Sequence, residues 1–185
     1  ALLNVASLPT RPSPALRRTA VLGEPVTAAG FPRANSPRSS LSMAEGTISS
    51  LTGIRNNAAQ LQVHALTGPG YSGAPLLDHG GNVVGLVSAG LLMRKAFQNV
   101  GGVPQKNTIG IKPETVAQFV QTESLPLNRA ERTAPMDAQA LASLAGDFTV
   151  KVTYTATFDD DNDGTVDREE PLRQSQQPPR SVQGL

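Results

Sequence analysis

The chain of 185 residues has no cysteine and no tryptophan, and only 4% of its residues are aromatic. Without cysteine no disulfide framework can exist, though that alone does not settle the cellular compartment. With so few aromatic rings and 38% hydrophobic residues, a core must be built from Leu, Val, Ile and Ala. No apolar run is long enough to span a membrane, and no signal peptide is visible. The net charge is +1, and there is no block of Lys or Arg. Arg11, Arg17 and Arg18 are scattered among Pro and Ser and read as a solvated loop, which argues against a nucleic-acid or anionic-membrane partner.

Seventeen glycines and 15 prolines promise many turns and some unpacked chain. Residues 1–5 read as a short apolar strand. A strand is expected from Glu24 to Phe31, followed by a polar loop over 33–40. Another is expected over 42–51, with a possible bulge at Gly46. From Ala59 to Leu66 the pattern alternates, with Leu61, Val63 and Ala65 on one face and Gln60, Gln62 and His64 on the other. Asp78-His79-Gly80-Gly81 joins two apolar runs, 74–77 and 82–88, as a hairpin. A short strand covers 108–111. Pro113 then opens a helix whose apolar face is expected at Val116, Phe119 and Val120. Several short strands closed by one helix make an all-β barrel or sandwich over residues 1–125. A linker and short helix over 126–147, a strictly alternating strand over 148–158, an acidic loop and a Gln- and Pro-rich tail complete the chain.

The segment richest in chemistry is Gly68-Pro69-Gly70-Tyr71-Ser72-Gly73-Ala74-Pro75. A serine hydroxyl is a poor nucleophile that needs a base and, for acyl transfer, donors aimed at the developing oxyanion. A glycine-rich turn can offer backbone amides for that purpose, because no Cβ blocks the approach. The amides of Gly70 and Ser72 are the candidates here. Gly-x-Ser-Gly by itself is also the composition of an ordinary loop, so the context decides. A strand leads in, Pro75-Leu76-Leu77 leads out, and a hairpin returns through Gly85-Leu86-Val87-Ser88-Ala89-Gly90.

In that context the chain resembles the trypsin-like (chymotrypsin-fold) serine peptidases, particularly bacterial exported ones. Gly70 to Pro75 matches their Gly-x-Ser-Gly-x-Pro loop, and Ser88-Ala89-Gly90 their substrate-pairing strand. Val26 to Pro32, residues 45–49 and the helix near 113–121 match further parts, so the resemblance covers roughly residues 1–125. It implies an antiparallel β-barrel of trypsin-like type with a closing helix, and Ser72 as the nucleophile of a serine endopeptidase. It also implies Gly70 as an oxyanion donor, a protein or peptide substrate, and a secreted or periplasmic location. Leu66, Thr67, Ser88, Ala89 and Gly90 would line the pocket for the residue before the scissile bond. No carboxylate appears among them, so an apolar or small side chain is expected there. The family's catalytic Asp would precede Ala1, and its His would lie in an amino-terminal barrel of the same polypeptide. Taken by itself the chain is therefore expected to be inactive. His64 lies where the family has no base, and His79 lies in a turn. Tyr71 stands where animal trypsins carry an Asp that pairs with a new N-terminus, so activation by that ion pair is not expected.

Asp159-Asp160-Asp161-Asn162-Asp163-Gly164-Thr165-Val166-Asp167-Arg168-Glu169-Glu170 matches an EF-hand-like calcium loop. Carboxylates at the first, third and fifth positions, glycine at the sixth, a carbonyl at the seventh and a glutamate at the twelfth converge on one ion. The expected ligands are Asp159, Asp161, Asp163, the Thr165 carbonyl and Glu170, for a single Ca²⁺. The leading segment reads as strand and Pro171 blocks an exiting helix, so a strand-flanked loop is expected rather than a helix pair. Two readings of the whole remain open beside the peptidase. One is a non-catalytic trypsin-like module that binds peptides or a partner. The other is an appendage that begins a separate calcium-dependent adhesion or carbohydrate-binding domain.

Overall fold

The computed structural model describes residues 13–32, 40–65, 67–88 and 107–152. The chain divides into two compact units, Ala1–Val152 and Thr153–Leu185. The second unit lies outside the described residues, as do the expected strand over 1–5 and the polar loop at 33–39.

The first unit is a closed antiparallel barrel with strand order β1-β2-β3-β6-β5-β4. The strands are β1 (Pro25–Gly30), β2 (Ser42–Ser50), β3 (Gln60–Ala65), β4 (Pro75–Leu77), β5 (Val83–Val87) and β6 (Asn107–Ile111). Closure comes from β1 against β4, where Thr27 faces Leu77 and Ala28 faces Leu76. Full closure leaves no strand edge unpaired. Alternation sorts the side chains as the sequence promised. Leu61, Val63 and Ala65 of β3 are buried, while His64 is exposed. Together with Val26, Ala28, Ile48, Tyr71, Ala74, Leu76, Val84 and Val87 they form the first core. With so few aromatics the interior is filled by small branched side chains, and Tyr71 is its largest member.

Gly46 is not a bulge. The register shift in β2 falls between Ile48 and Ser50 instead. Gly46 serves close packing, because a Cβ there would lie 2.6 Å from that of Ala65 and 2.7 Å from the His64 carbonyl.

Two helices follow, α1 (Pro113–Thr122) and α2 (Ala138–Phe148). Pro113 occupies the first turn of α1, where its missing N–H costs nothing. The buried face of α1 centres on Pro113 and Ala117, flanked by half-buried Val116 and Val120, whereas Phe119 is 45% exposed. The expected face is thus rotated, because a small residue fits closest to the barrel. Asp137 caps α2 by accepting the Ala140 amide at 2.7 Å. Leu141 and Ala145 of α2 join Leu16, Ala29, Leu77, Val83 and Ala117 in a second core. Ala28 lies in the first core and its neighbour Ala29 in the second, so β1 buries both faces.

Two expectations for the chain after α1 are corrected. The 126–136 segment is docked rather than a free linker. Leu16 donates its amide to the Asn128 carbonyl at 2.9 Å, and Met136 donates to His79 at 2.8 Å. The Arg129 guanidinium donates to the carbonyls of Leu16 and Arg17, each at 3.0 Å. Arg17 in turn ion-pairs with Glu24, with Asp78 at 3.4 Å and with Glu131 at 3.9 Å. Phe148 closes α2 rather than opening a strand, and its ring packs against the second core. Burial on a helix outweighed the two-residue alternation that begins there. The rest of the expected strand, from 153 to 158, lies outside the described residues.

Candidate active site

Two tight turns in series build the serine loop. In the first, Tyr71 donates its amide to the Gly68 carbonyl at 3.2 Å across Pro69-Gly70, and Gly70 has φ of 100°. In the second, Ala74 donates to the Tyr71 carbonyl at 2.9 Å across Ser72-Gly73, and Gly73 has φ of 83°. Both fit the type II pattern, which demands positive φ at its third residue and welcomes proline at its second. Gly70 and Gly73 meet the first demand, and Pro69 occupies the second place of its turn.

The loop is bolted to β5. Gly73 donates to the Val87 carbonyl at 2.8 Å, and Val87 donates to the Ala74 carbonyl at 2.8 Å. Tyr71 and Ala74 are buried, at 6% and 5% exposure, while Ser72 and Gly73 between them are exposed. Burial pushes the Tyr71 phenol above its ordinary pKa, and a hydrogen bond with the Ser42 side chain offsets part of that rise. Tyr71 is therefore neutral at physiological pH. The amides of Gly70 and Ser72 make no hydrogen bond to any described residue. Ser72 thus stands exposed on a fixed loop, with a backbone donor of its own and another two residues before it that are unpaired among the described residues.

Of the expected pocket residues, Thr67 and Ser88 are described; Leu66, Ala89 and Gly90 lie outside the described residues. Ser88 donates its amide to the Ile109 carbonyl at 2.7 Å. The hydroxyls of Thr67 and Thr108 hydrogen-bond each other, and Thr108 donates to the Ala65 carbonyl at 3.3 Å. Thr108 is 1% exposed. Sequence reading missed it, although a hydroxyl in a short apolar strand must find a partner when buried.

Neither histidine is hydrogen-bonded to Ser72 among the described residues. His64 is exposed on β3, with Thr47 and Asn107 as its cross-strand partners. His79 sits in the β4–β5 turn, beyond the far end of the strand that leads away from Ser72. There it borders a concavity of about 170 Å³ with Thr27, Met43, Leu77, Met136 and Leu141. That concavity does not include Ser72. Among the described residues no group of three His, Cys, Asp or Glu side chains could hold a metal ion. Asp159, Asp161, Asp163, Thr165 and Glu170 lie outside them. Likewise, no helix among the described residues is long and apolar enough to cross a membrane.

Residues 1–86 match the family model described as a trypsin-like peptidase domain, and that span includes the whole serine loop. An uncharacterized protein of Sinorhizobium fredii, y4bJ, is 31% identical over 132 residues, which is 71% of this chain and 21% of that protein. The chain therefore spans about a fifth of that relative's length. Two solved structures are similar, both of Rv3671c in an inactive form. One, from M. tuberculosis and carrying a serine-to-alanine substitution, is 18% identical with a TM-score of 0.47, over 66% of this chain and 59% of that one. The other, titled a protease, is 20% identical with a TM-score of 0.45, over 63% and 56%.

Proposed function

We propose that this closed barrel is of the trypsin-like peptidase type, which the match over residues 1–86 supports, and that Ser72 is the nucleophile of a serine endopeptidase. The observation that carries the proposal is the exposed Ser72 hydroxyl on a loop whose Gly70 and Ser72 amides are unpaired among the described residues. In the proposed reaction the Ser72 Oγ attacks the scissile carbonyl carbon while a base takes its proton. The amides of Gly70 and Ser72 hold the oxyanion. The C–N bond then breaks, the base returns the proton to the leaving amine, and water releases the acyl group from Ser72. By the resemblance, the base is assigned to an amino-terminal barrel of the same polypeptide and its orienting carboxylate to a position just before Ala1. Thr67 and Ser88, with Leu66, Ala89 and Gly90, form the pocket. With no carboxylate among them, it takes an apolar or small side chain.

The proposal extends to the rest of the chain. The acidic loop binds one Ca²⁺ through Asp159, Asp161, Asp163, the Thr165 carbonyl and Glu170. Resemblance to exported peptidases supports a secreted or periplasmic location.

The test is hydrolysis of an unstructured protein by the full-length protein that carries this chain. Cleavage lost in Ser72→Ala supports the peptidase, and cleavage unchanged in that variant removes Ser72 from the chemistry. One observation favours a second reading, a non-catalytic peptide- or partner-binding module: no described histidine is bonded to Ser72. Saturable binding of peptides by a full-length protein that cleaves none of them selects it.

A further inference from the structure

We propose that Tyr71 is the positioning residue of the serine loop, and that the Gly30–Ser42 rung at the end of β1 and β2 is the socket that holds it. The inference rests on the reading of Ser72 as nucleophile and says how its two amide donors are kept in place. Gly30 and Ser42 are direct cross-strand partners. The Tyr71 ring lies against the bare Cα of Gly30. A Cβ on that residue would come within 2.7 Å of Cδ1, closer than such atoms approach, and 3.1 Å from Cγ, a tight contact. Gly30 is not among the glycines with positive φ, so its role is to leave space rather than to permit a turn. The Ser42 side chain lies near enough to the phenol to oppose the rise in its pKa. One rung therefore meets both the flat face and the polar tip of the ring, and the ring is 6% exposed.

The backbone makes this anchorage consequential. Tyr71 is the last residue of the first turn, donating to Gly68, and the first residue of the second, accepting from Ala74. It is also the residue between Gly70 and Ser72: the Ser72 N–H lies on the peptide plane that follows the Tyr71 Cα, and the Gly70 N–H lies one plane further back, inside the turn that the Tyr71 amide closes on Gly68. Fixing its side chain holds the Ser72 plane directly and the Gly70 plane through the Tyr71–Gly68 turn, and donors set before reaction cost no reorganisation when charge develops. A Tyr71 that merely filled the core would stabilise the barrel as a whole. A socketed Tyr71 holds the loop in particular.

Amide hydrogen exchange of the full-length protein separates the two. Gly30→Ala should speed exchange at Gly73 and Ala74 about tenfold or more, while Leu61 and Val63 keep their wild-type protection. Tyr71→Phe should restrict the loss to a few-fold, and Tyr71→Leu, which keeps an apolar side chain, should match Gly30→Ala. The rate at which a fluorophosphonate labels Ser72 should fall by about 10² in the Gly30→Ala and Tyr71→Leu variants. Unchanged protection at Gly73 and Ala74 in both of those variants overturns the proposal. So does protection lost equally across the barrel. If wild-type protein is never labelled yet the loop alone loses protection, the socket stands and the nucleophile reading fails.

Discussion

Asn82 and Arg132 are bonded twice. The Asn82 carboxamide donates to the Arg132 carbonyl at 2.8 Å and accepts the Arg132 amide at 2.8 Å. Asn82 also donates to the Asp78 carboxylate, at 3.1 Å and 3.0 Å to its two oxygens, and is 2% exposed. Its side chain thus rivets the segment after α1 to the β4–β5 hairpin. Asn82→Ala leaves Arg132 backbone groups without their partner and should cost about 2–4 kcal/mol. Urea unfolding monitored by circular dichroism checks this. A cost below about 0.5 kcal/mol would mean the segment is not held by this residue.

Gly73 isolates backbone conformation from packing. Its φ is 83°, and nothing lies within 4 Å of where a Cβ would stand. Gly73→Ala should therefore cost only the strain of a left-handed residue, about 1–2 kcal/mol, and Gly73→Asn should cost less. Denaturation midpoints of the two variants should fall in that order below wild type.

Tyr71 gives a pH dependence with a definite sign. Its folded pKa is raised by burial, with the Ser42 hydrogen bond opposing. The folded state therefore holds the phenolic proton to higher pH than the unfolded chain, and stability falls as pH rises. The contribution is fully present below the unfolded tyrosine pKa of about 10 and is lost as pH climbs through the folded value. Melting temperatures measured on either side of that pKa should drop less steeply in Tyr71→Phe than in wild type.

The calcium loop is testable without reference to peptidase chemistry. Titration calorimetry on the chain should show one site in the weak range of extracellular modules, roughly 10⁻⁴ to 10⁻³ M, because no paired loop preorganises the carboxylates. Asp159→Ala together with Asp163→Ala should abolish the heat. A signal that survives the double substitution places the ion elsewhere.

Local pattern carried much of the barrel. The alternation around Leu61 and Val63 and the Asp78–Gly81 turn are properties of neighbouring residues, and both were legible. Gly70 and Gly73 announced the turns by the φ their positions demand. What was not legible depends on distant contacts. Phe119 and Phe148 are apolar in the sequence, but only the docking of α1 and α2 decides that the first is exposed and the second packed. Thr108 finds Thr67 across 41 residues of chain. The Gly-Phe-Pro ending of β1 marked a family strand without revealing that its glycine makes room for Tyr71.

Whether the Ser72 Oγ is the nucleophile is tested most directly by covalent labelling. Full-length protein treated with a fluorophosphonate, digested and mapped by mass spectrometry should carry one adduct, on the peptide containing Ser72, and none in Ser72→Ala. An adduct on another residue, or one retained in Ser72→Ala, would contradict Ser72 as the nucleophile.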